Sequence, residues 1–578
     1  MYSPSAYISL IATDRYWSCF LFLTVPQFIL SRTQPTQSIM STLVAQNSAP
    51  PRSSTRSASW VQPIHPIVPE TLPCSAIENL FARVYIPQTI FFPLRPNEDP
   101  LQHFRYMCRG LGRMLNKFPH LSGTLRLDKR GAFSIETQPA PQAGILFHYA
   151  DLAGDCTFPS FRELQAAGFP FADGNSDGLS RLRPDLYPAH GNGDGAPTFI
   201  PQLTHVRGGL VLLMCWSHMC GDTVLSNAIA ETWAQETCEA ATAAAEGRPE
   251  APVPEPVARN LTDRSRLLPR HDGPATFAEL AKPAQALSDW KLVDPTDIVT
   301  LDTMQSIVPP PYIPASQAHA TKELRTTLSG VWRFPLASLE ALHRAVQTAS
   351  KTGTKLSKSD VLTAYLWERV FNAKYQPQAS GDHTPPHSEI VFAGDIRRRL
   401  DPPLPAGYIG AAVDLLRCSA TTDSLTARST DPRNFSHLAE IATALRTAND
   451  NWKEKDYMAM LSLSQRTPVS PGFMPRGPID LLCTDHSRIP SMRAASWGPT
   501  LGSPVAYREP YLGREPPAGE VTVLPRCKNG DLEVMISAEK VVMGRLLEDG
   551  DLGRWGERQF VMHDVIEEKR RRDTRARL

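Results

Sequence analysis

GGLVLLMCWSHMCGDTVLSNAIAETWAQET, residues Gly208 to Thr237, changes its hydrophobic period once, and the change falls around a histidine. Gly208–Ser217 is almost continuously apolar, the pattern of a strand buried on both faces. From Thr223 to Thr237, Leu225, Ala228, Ile229, Thr232 and Trp233 share one helical face. Between the two stands His218-Met219-Cys220-Gly221-Asp222, an H-x-x-x-D pattern. A buried strand feeding an amphipathic helix predicts an α/β fold, and it puts the imidazole where two rigid elements can hold it.

His190-Gly191-Asn192-Gly193-Asp194 fits the same pattern, but it lies in the Gly-, Asp- and Pro-rich stretch 166–197, which predicts a loop. Catalytic geometry has to be held to a fraction of an ångström, so context selects His218. An imidazole with an ordinary pKa of about 6.5 suits the removal of a proton from an alcohol or amine as it attacks a carbonyl. Turnover is then expected to rise with pH through about 6 to 7. Gly221 allows close backbone approach. Asp222 either orients the imidazole or turns away and holds the loop, and a buried histidine satisfied by backbone would carry the same five residues. Gly174-Asn175-Ser176-Asp177-Gly178 matches the G-x-S-x-G nucleophile elbow, which needs a hydrophobic strand before it and a helix after it. Phe169–Asp173 precedes it and Pro184 soon follows, so a surface loop is predicted. No Walker-type phosphate loop and no H-E-x-x-H zinc helix occurs, and no metal is expected.

Working outward, Leu80–Pro87 reads as a strand, Leu101–Asn116 as a helix, and His120–Leu125 as a turn into a further strand. Residues 65–238 form the expected first domain. Residues 239–323, rich in alanine, proline and charge with little pattern, read as a linker or crossover partly packed on the surface. The second domain, 324–578, opens with a strand (Gly330–Phe334) and helices Leu336–Thr348 and Ser359–Tyr375. Ile390–Gly394 is a strand, Phe435–Trp452 a helix, and Glu520–Glu539 a hairpin around Lys528-Asn529-Gly530-Asp531. Residues 1–64 are expected to be a disordered leader, or an extension ahead of a true start at Met40. The apolar Tyr16–Leu30 is short for a membrane span and contains Pro26 and Gln27.

At 578 residues the chain exceeds what one core usually supports, in line with two domains. Its net charge of +1 supplies no field for nucleic acid. The ten cysteines form no CxxC pair, which fits reduced thiols in an intracellular protein.

Several ordered patches together resemble the BAHD superfamily of coenzyme A-dependent acyltransferases, in particular its fungal secondary-metabolism branch. Phe118-Pro119-His120-Leu121-Ser122-Gly123 resembles that family's YPLAGR segment, and His218–Asp222 its H-x-x-x-D signature. Asp263-Arg264-Ser265-Arg266 resembles the acidic-to-Arg segment before its crossover. Leu356–Trp367 (LSKSDVLTAYLW) and Asp395–Pro405 (DIRRRLDPPLP), with Gly407-Tyr408-Ile409-Gly410, resemble its second-domain motifs. The resemblance spans roughly Ile67 to Met543. It implies two chloramphenicol-acetyltransferase-like α/β domains with mixed sheets and a channel between them. Acyl-CoA, acetyl-CoA foremost, would be the co-substrate with no bound cofactor, and a small secondary metabolite the acceptor, O- or N-acylated. It further implies His218 as general base and a structural Asp222 paired with an arginine, Arg397 or Arg399. The family's DFGWG signature departs here to Ser496-Trp497-Gly498-Pro499. By resemblance Ser496, Trp497 and Gly498, with Arg397, belong to the CoA channel and domain junction, and loss of the aspartate weakens that junction unless a neighbour compensates.

Two other readings stay open: carrier-protein-dependent condensation, and a non-catalytic relative on the same scaffold. Condensation enzymes carry a second histidine just before the motif, where this chain has Trp216-Ser217. A monomer is expected, with no stable membrane insertion. The cytoplasm is the expected compartment, with the peroxisome as alternative because Ala576-Arg577-Leu578 resembles the S-K-L address.

Overall fold

The computed structural model describes residues 55–80, 84–170, 182, 194–293, 326–377, 384–427, 434–468, 472–512 and 516–561. His190, the Gly174–Gly178 segment, Tyr16–Leu30, Met40 and the Ala576-Arg577-Leu578 terminus lie outside these residues.

Gly209–Ser217 is a strand with every residue buried, as its unbroken apolar run requires. It lies in a six-stranded sheet of spatial order Thr55–Val61, Ile145–Asp151, Phe199–Val206, Gly209–Ser217, Tyr85–Pro93 and Ala506–Arg508. Only Ile145–Asp151 and Phe199–Val206 run parallel; the other pairs are antiparallel. The strand expected at Leu80–Pro87 is Tyr85–Pro93. Pro87 is tolerated inside it because Ala506–Arg508 pairs only with Thr89–Phe91, so at Pro87 the strand has a neighbour on one side alone.

Two boundaries move. Thr55–Val61 is the edge strand of the first sheet, with Thr55 opposite Asp151 and Val61 opposite Ile145, so order begins ahead of residue 64. Only Val61 of this strand is buried, which is why its Ser- and Thr-rich composition reads as disorder. The helix after Asp222 runs from Thr223 through 238 to Glu246 and stops at Gly247, which is left-handed (φ 65°). Ala240, Ala241 and Ala243 are buried on it, and an alanine-rich run offers no apolar-to-polar contrast from which a period could be read. This helix packs against Pro100–Lys117, to which Trp233 is tied by its indole N–H on the Met107 carbonyl (2.9 Å).

The second sheet has seven strands, ordered Val413–Thr421, His387–Asp395, Leu481–Asp485, Glu520–Val523, Leu532–Glu539, Thr327–Phe334 and Glu557–Val561. His387–Asp395, Leu481–Asp485 and Glu520–Val523 are mutually parallel, so this sheet is mixed. The parallel strands end at Asp395, Asp485 and Val523 on one rim, and the chain leaving Asp395 leads straight to Arg397. Helices Leu336–Ala349, Lys358–Tyr375 and Ser436–Asp450 help bury the sheet in its own apolar cluster. Lys358–Tyr375 starts with a capping box between Ser357 and Asp360.

The halves exchange chain more than a simple linker allows. Ala506–Arg508, well inside the expected second domain, completes the first sheet. The described part of 239–323 runs largely over the surface and is pinned at single points: Leu267 is fully buried, and Trp290–Leu292 pairs with Phe473–Pro475. Both departures have one cause. Short strands and single buried side chains are dictated by partners distant in sequence, and no local periodicity marks them.

Candidate active site

The strand Gly209–Ser217 ends where a short 3-10 turn, His218–Cys220, begins. Ser217 caps that turn by accepting from the Met219 N–H (3.2 Å), and the His218 N–H donates to the Val84 carbonyl (3.0 Å). The next helix starts at Asp222, whose Oδ1 accepts from the Val224 N–H (3.0 Å). The imidazole is therefore set between a strand end and a helix N-cap. Trp216, on the same face two residues earlier, lies beside it with ring centroids 5.6 Å apart and planes tilted by 52°.

His218 keeps part of its surface open to solvent while protein surrounds the ring densely, as at the bottom of a recess. Burial lowers its pKa from the usual histidine range. Its own backbone, the Gly221 backbone, Asp222 and Glu78 oppose that shift without overcoming it. The ring is neutral at pH 7.

Asp222 turns away from the imidazole. Its Oδ1 accepts from Arg397 Nη2 at 2.9 Å, and its Oδ2 accepts from the Ala412 N–H at 3.0 Å. Arg397 also donates to the carbonyls of Tyr408 (3.0 Å) and Gly410 (2.7 Å). Burial works against the Arg397 charge, but Asp222 and Asp395 outweigh it and raise the pKa of the guanidinium. Arg399, the other candidate partner, donates instead to Asn449. A second buried pair lies beneath the same turn. Arg264 Nη2 donates to the Cys220 carbonyl (2.8 Å), and its Nε pairs with Glu78 (3.3 Å). Glu78 Oε1 in turn accepts from the Ala411 N–H (2.9 Å).

Two ion pairs thus fasten the His218–Asp222 turn of the first half to Tyr408–Ala412 of the second. The strap passes so close that a Cβ on Gly221 would stand 2.6 Å from the Ile409 carbonyl oxygen, which is why glycine is required there. Arg264 belongs to a segment recognisable in the sequence. Glu78 does not: a lone carboxylate in an apolar stretch carries no local signal for a partner 186 residues away.

Ser496, Trp497 and Gly498 lie at the junction of the halves. Trp497 is buried in the first core, edge-on to Phe92 and Trp233. Gly498 adopts φ 133°, and the loop closes through Trp497 N–H to Gly502 O (2.8 Å). Ser496 is exposed and lines a 490 Å³ recess together with Glu231, Gln235 and Glu239, the last of which is paired with Arg248. Arg493 and Arg508 both pair with buried Glu533, the latter at 2.9 Å, and hold its carboxyl down at about 2 despite burial.

A second recess, of 260 Å³, opens between Phe133 of the first half and Gln465 of the second. Cys74 lines it, and the Cys74 thiol donates to the Met219 carbonyl (3.2 Å), so the recess adjoins the His218–Cys220 turn.

His120 is buried in the segment before this turn. Burial foremost, with Arg264 nearby, lowers its pKa to about 3, and Nε2 has no hydrogen-bond partner among the described residues. The folded ring stays neutral where an unfolded one, with a pKa of about 6.5, takes up a proton. Below about pH 6.5 the wild type should therefore lose stability relative to His120→Phe, by about 1.4 kcal/mol per pH unit. Urea midpoints of the two proteins at pH 7.5 and pH 5 measure this; a constant difference between them would contradict it.

The sequence pattern of the Transferase family matches residues 54–431. Similar curated proteins include acyltransferase M4 of a Phoma species, 25% identical, covering 81% of this chain and 92% of that protein. Acyltransferase cm3D of Cordyceps militaris is 26% identical and covers 84% and 96%. Among solved structures, Fusarium graminearum TRI101 complexed with coenzyme A and T-2 mycotoxin superposes with a TM-score of 0.63 at 16% identity. It covers 85% of this chain and 100% of its own. Vinorine synthase does so with a TM-score of 0.53 at 16% identity, covering 86% and 98%. These likenesses bear out the two-domain α/β fold, and with most of its length matched by the family pattern, the chain belongs to the Transferase family and is a BAHD-type acyltransferase.

Proposed function

We propose that this enzyme transfers a short acyl group, acetyl foremost, from coenzyme A to a hydroxyl or amine of a small secondary metabolite, with His218 as general base. One observation carries the reading: a neutral imidazole that retains solvent contact, fixed at a strand end where the two halves meet, with its motif aspartate committed elsewhere. The relatives support it. TRI101 of Fusarium sporotrichioides, 23% identical, is a trichothecene 3-O-acetyltransferase, and the Fusarium graminearum enzyme has been captured with coenzyme A beside deoxynivalenol.

Nδ1 is the buried nitrogen of His218, which leaves Nε2 to meet the acceptor. As the acceptor oxygen or nitrogen bonds to the thioester carbonyl carbon, its proton passes to Nε2. Collapse of the tetrahedral adduct breaks the carbon–sulfur bond, and the departing thiolate takes that proton, giving ester or amide and free thiol. No covalent enzyme intermediate is needed, because the thioester already carries a good leaving group. The 260 Å³ recess beside Cys74 is our candidate approach for one substrate. Carrier-protein condensation is disfavoured by Trp216 and Ser217 standing where a second histidine would be. We place the protein in the cytoplasm, with the peroxisome as alternative; among the described residues no helix is long and apolar enough to cross a membrane.

Thiol release from acetyl-CoA with added alcohols or a metabolite extract tests the activity, and its pH profile tests the base. A depressed His218 pKa moves the acid limb below about 6.5, so the rate should rise with pH only in the acidic range and be level above about 7. A rate still climbing tenfold per unit between pH 7 and 8, with chemistry limiting, would overturn the assignment.

A further inference from the structure

Behind the catalytic strand, a buried chain of polar side chains links the two halves without touching the motif. The Trp216 indole N–H donates to Gln88 Oε1 at 3.2 Å. Gln88 Nε2 donates to Ser226 Oγ at 3.3 Å, and the amide lies beside the Tyr507 hydroxyl of the neighbouring strand. The Tyr507 hydroxyl donates to Glu509 Oε1 (2.5 Å), which is shared with His486 Nδ1 (2.8 Å). Gln88, Trp216, Ser226, Tyr507 and His486 are all buried.

The protons in this chain have a direction. Ser226 spends its hydroxyl proton on the Thr223 carbonyl (3.0 Å), and Tyr507 spends its own on Glu509. Both therefore present lone pairs to Gln88, and both call for its NH2 group. That fixes the amide with its oxygen toward Trp216; turned over, it would set a donor against the indole N–H. The indole so held is the wall beside the His218 ring. Gln88 sits on Tyr85–Pro93, Trp216 on the catalytic strand, and Tyr507 on the strand that crosses from the second half, so one amide ties all three.

We infer that Gln88 is a positioning residue for His218, acting through Trp216, with Tyr507 setting the direction of its amide. The inference rests on His218 being the base.

Three full-length variants test it: Gln88→Leu, Trp216→Phe and the two combined, with Tyr507→Phe as a fourth that removes a single oxygen and keeps the packing. The readouts are kcat and KM for thiol release from acetyl-CoA, and the rate of carbethoxylation of His218 followed by mass spectrometry of its peptide. The second needs no acceptor. Gln88→Leu should lower kcat about tenfold with KM for acetyl-CoA unchanged, and change His218 reactivity by a similar factor. Trp216→Phe should do the same and the double variant no more, with Tyr507→Phe shifting both readouts in the same direction by less. Unchanged kcat and His218 reactivity in folded Gln88→Leu would overturn the inference, as would fully additive losses in the double variant. Should Gln88→Leu fail to fold, an unaltered Tyr507→Phe would overturn it. If His218→Ala retains transfer, the base assignment fails instead, and the carbethoxylation data still report on Gln88 by themselves.

Discussion

His218→Ala is expected to reduce kcat by about 10²- to 10⁴-fold while leaving the melting temperature within a few degrees of the wild type. The separation of the two effects follows from how the turn is held. Both ion pairs grip it through other atoms, Arg264 on the Cys220 carbonyl and Arg397 on the Asp222 carboxylate. The His218 backbone N–H, which bonds Val84, survives the substitution. What is lost is the proton acceptor alone. His190→Ala, the control with the same surrounding pattern, should leave kcat unaltered. Thiol release measured on both variants, with thermal unfolding alongside, decides the matter: transfer above a tenth of wild type in folded His218→Ala, or equal loss in both, would remove His218 from the chemistry.

The sequence was most informative where a single element announces itself. The fully apolar Gly209–Ser217 and the helical face after Thr223 flank a place where a histidine can be held rigidly, and the structure puts His218 there. The hairpin around Lys528-Asn529-Gly530-Asp531 is present too, as Glu520–Val523 against Leu532–Glu539, with Gly530 at φ 90°. What stayed illegible is what depends on distant partners. Glu78, Gln88 and Glu533 are polar residues buried in largely apolar surroundings, and each gains meaning from an arginine or an indole brought from elsewhere in the chain. The strand Ala506–Arg508 is too short to show a period, and it belongs to the opposite half. The departure of the second signature to Ser496 predicts a weakened junction, and the buried Glu533 carboxylate held between Arg493 and Arg508 is an ion-pair cluster that no local pattern announces.

Arg397→Met should destabilise the fold by about 3–5 kcal/mol, because it strands the buried Asp222 carboxylate. Both partners are nine-tenths shielded, with side-chain exposures of 10% each, so water cannot replace the lost donor. Asp222→Asn should cost a similar amount by another route. The carboxylate accepts from Val224, Arg397 and Ala412 at once, using both oxygens. An asparagine has one acceptor oxygen, and its NH2 group must face either the Ala412 N–H or the guanidinium, donor against donor. In the double variant the uncompensated charge is gone, so its loss should fall short of the sum by at least about 1 kcal/mol, as expected for groups in direct contact. Urea unfolding of the set gives the cycle, provided m stays constant. Arg399→Met supplies the contrast. Arg399 bonds Asn449 and lies over the Trp452 ring, away from Asp222, so its removal should cost no more than about 1 kcal/mol and spare activity. Activity should follow the clamp: losing either member frees the Tyr408–Ala412 strap from the catalytic turn and lowers kcat even where the protein remains folded. Additive losses, or an Arg399 variant as damaged as the Arg397 one, would mean that the halves are held by something other than this pair.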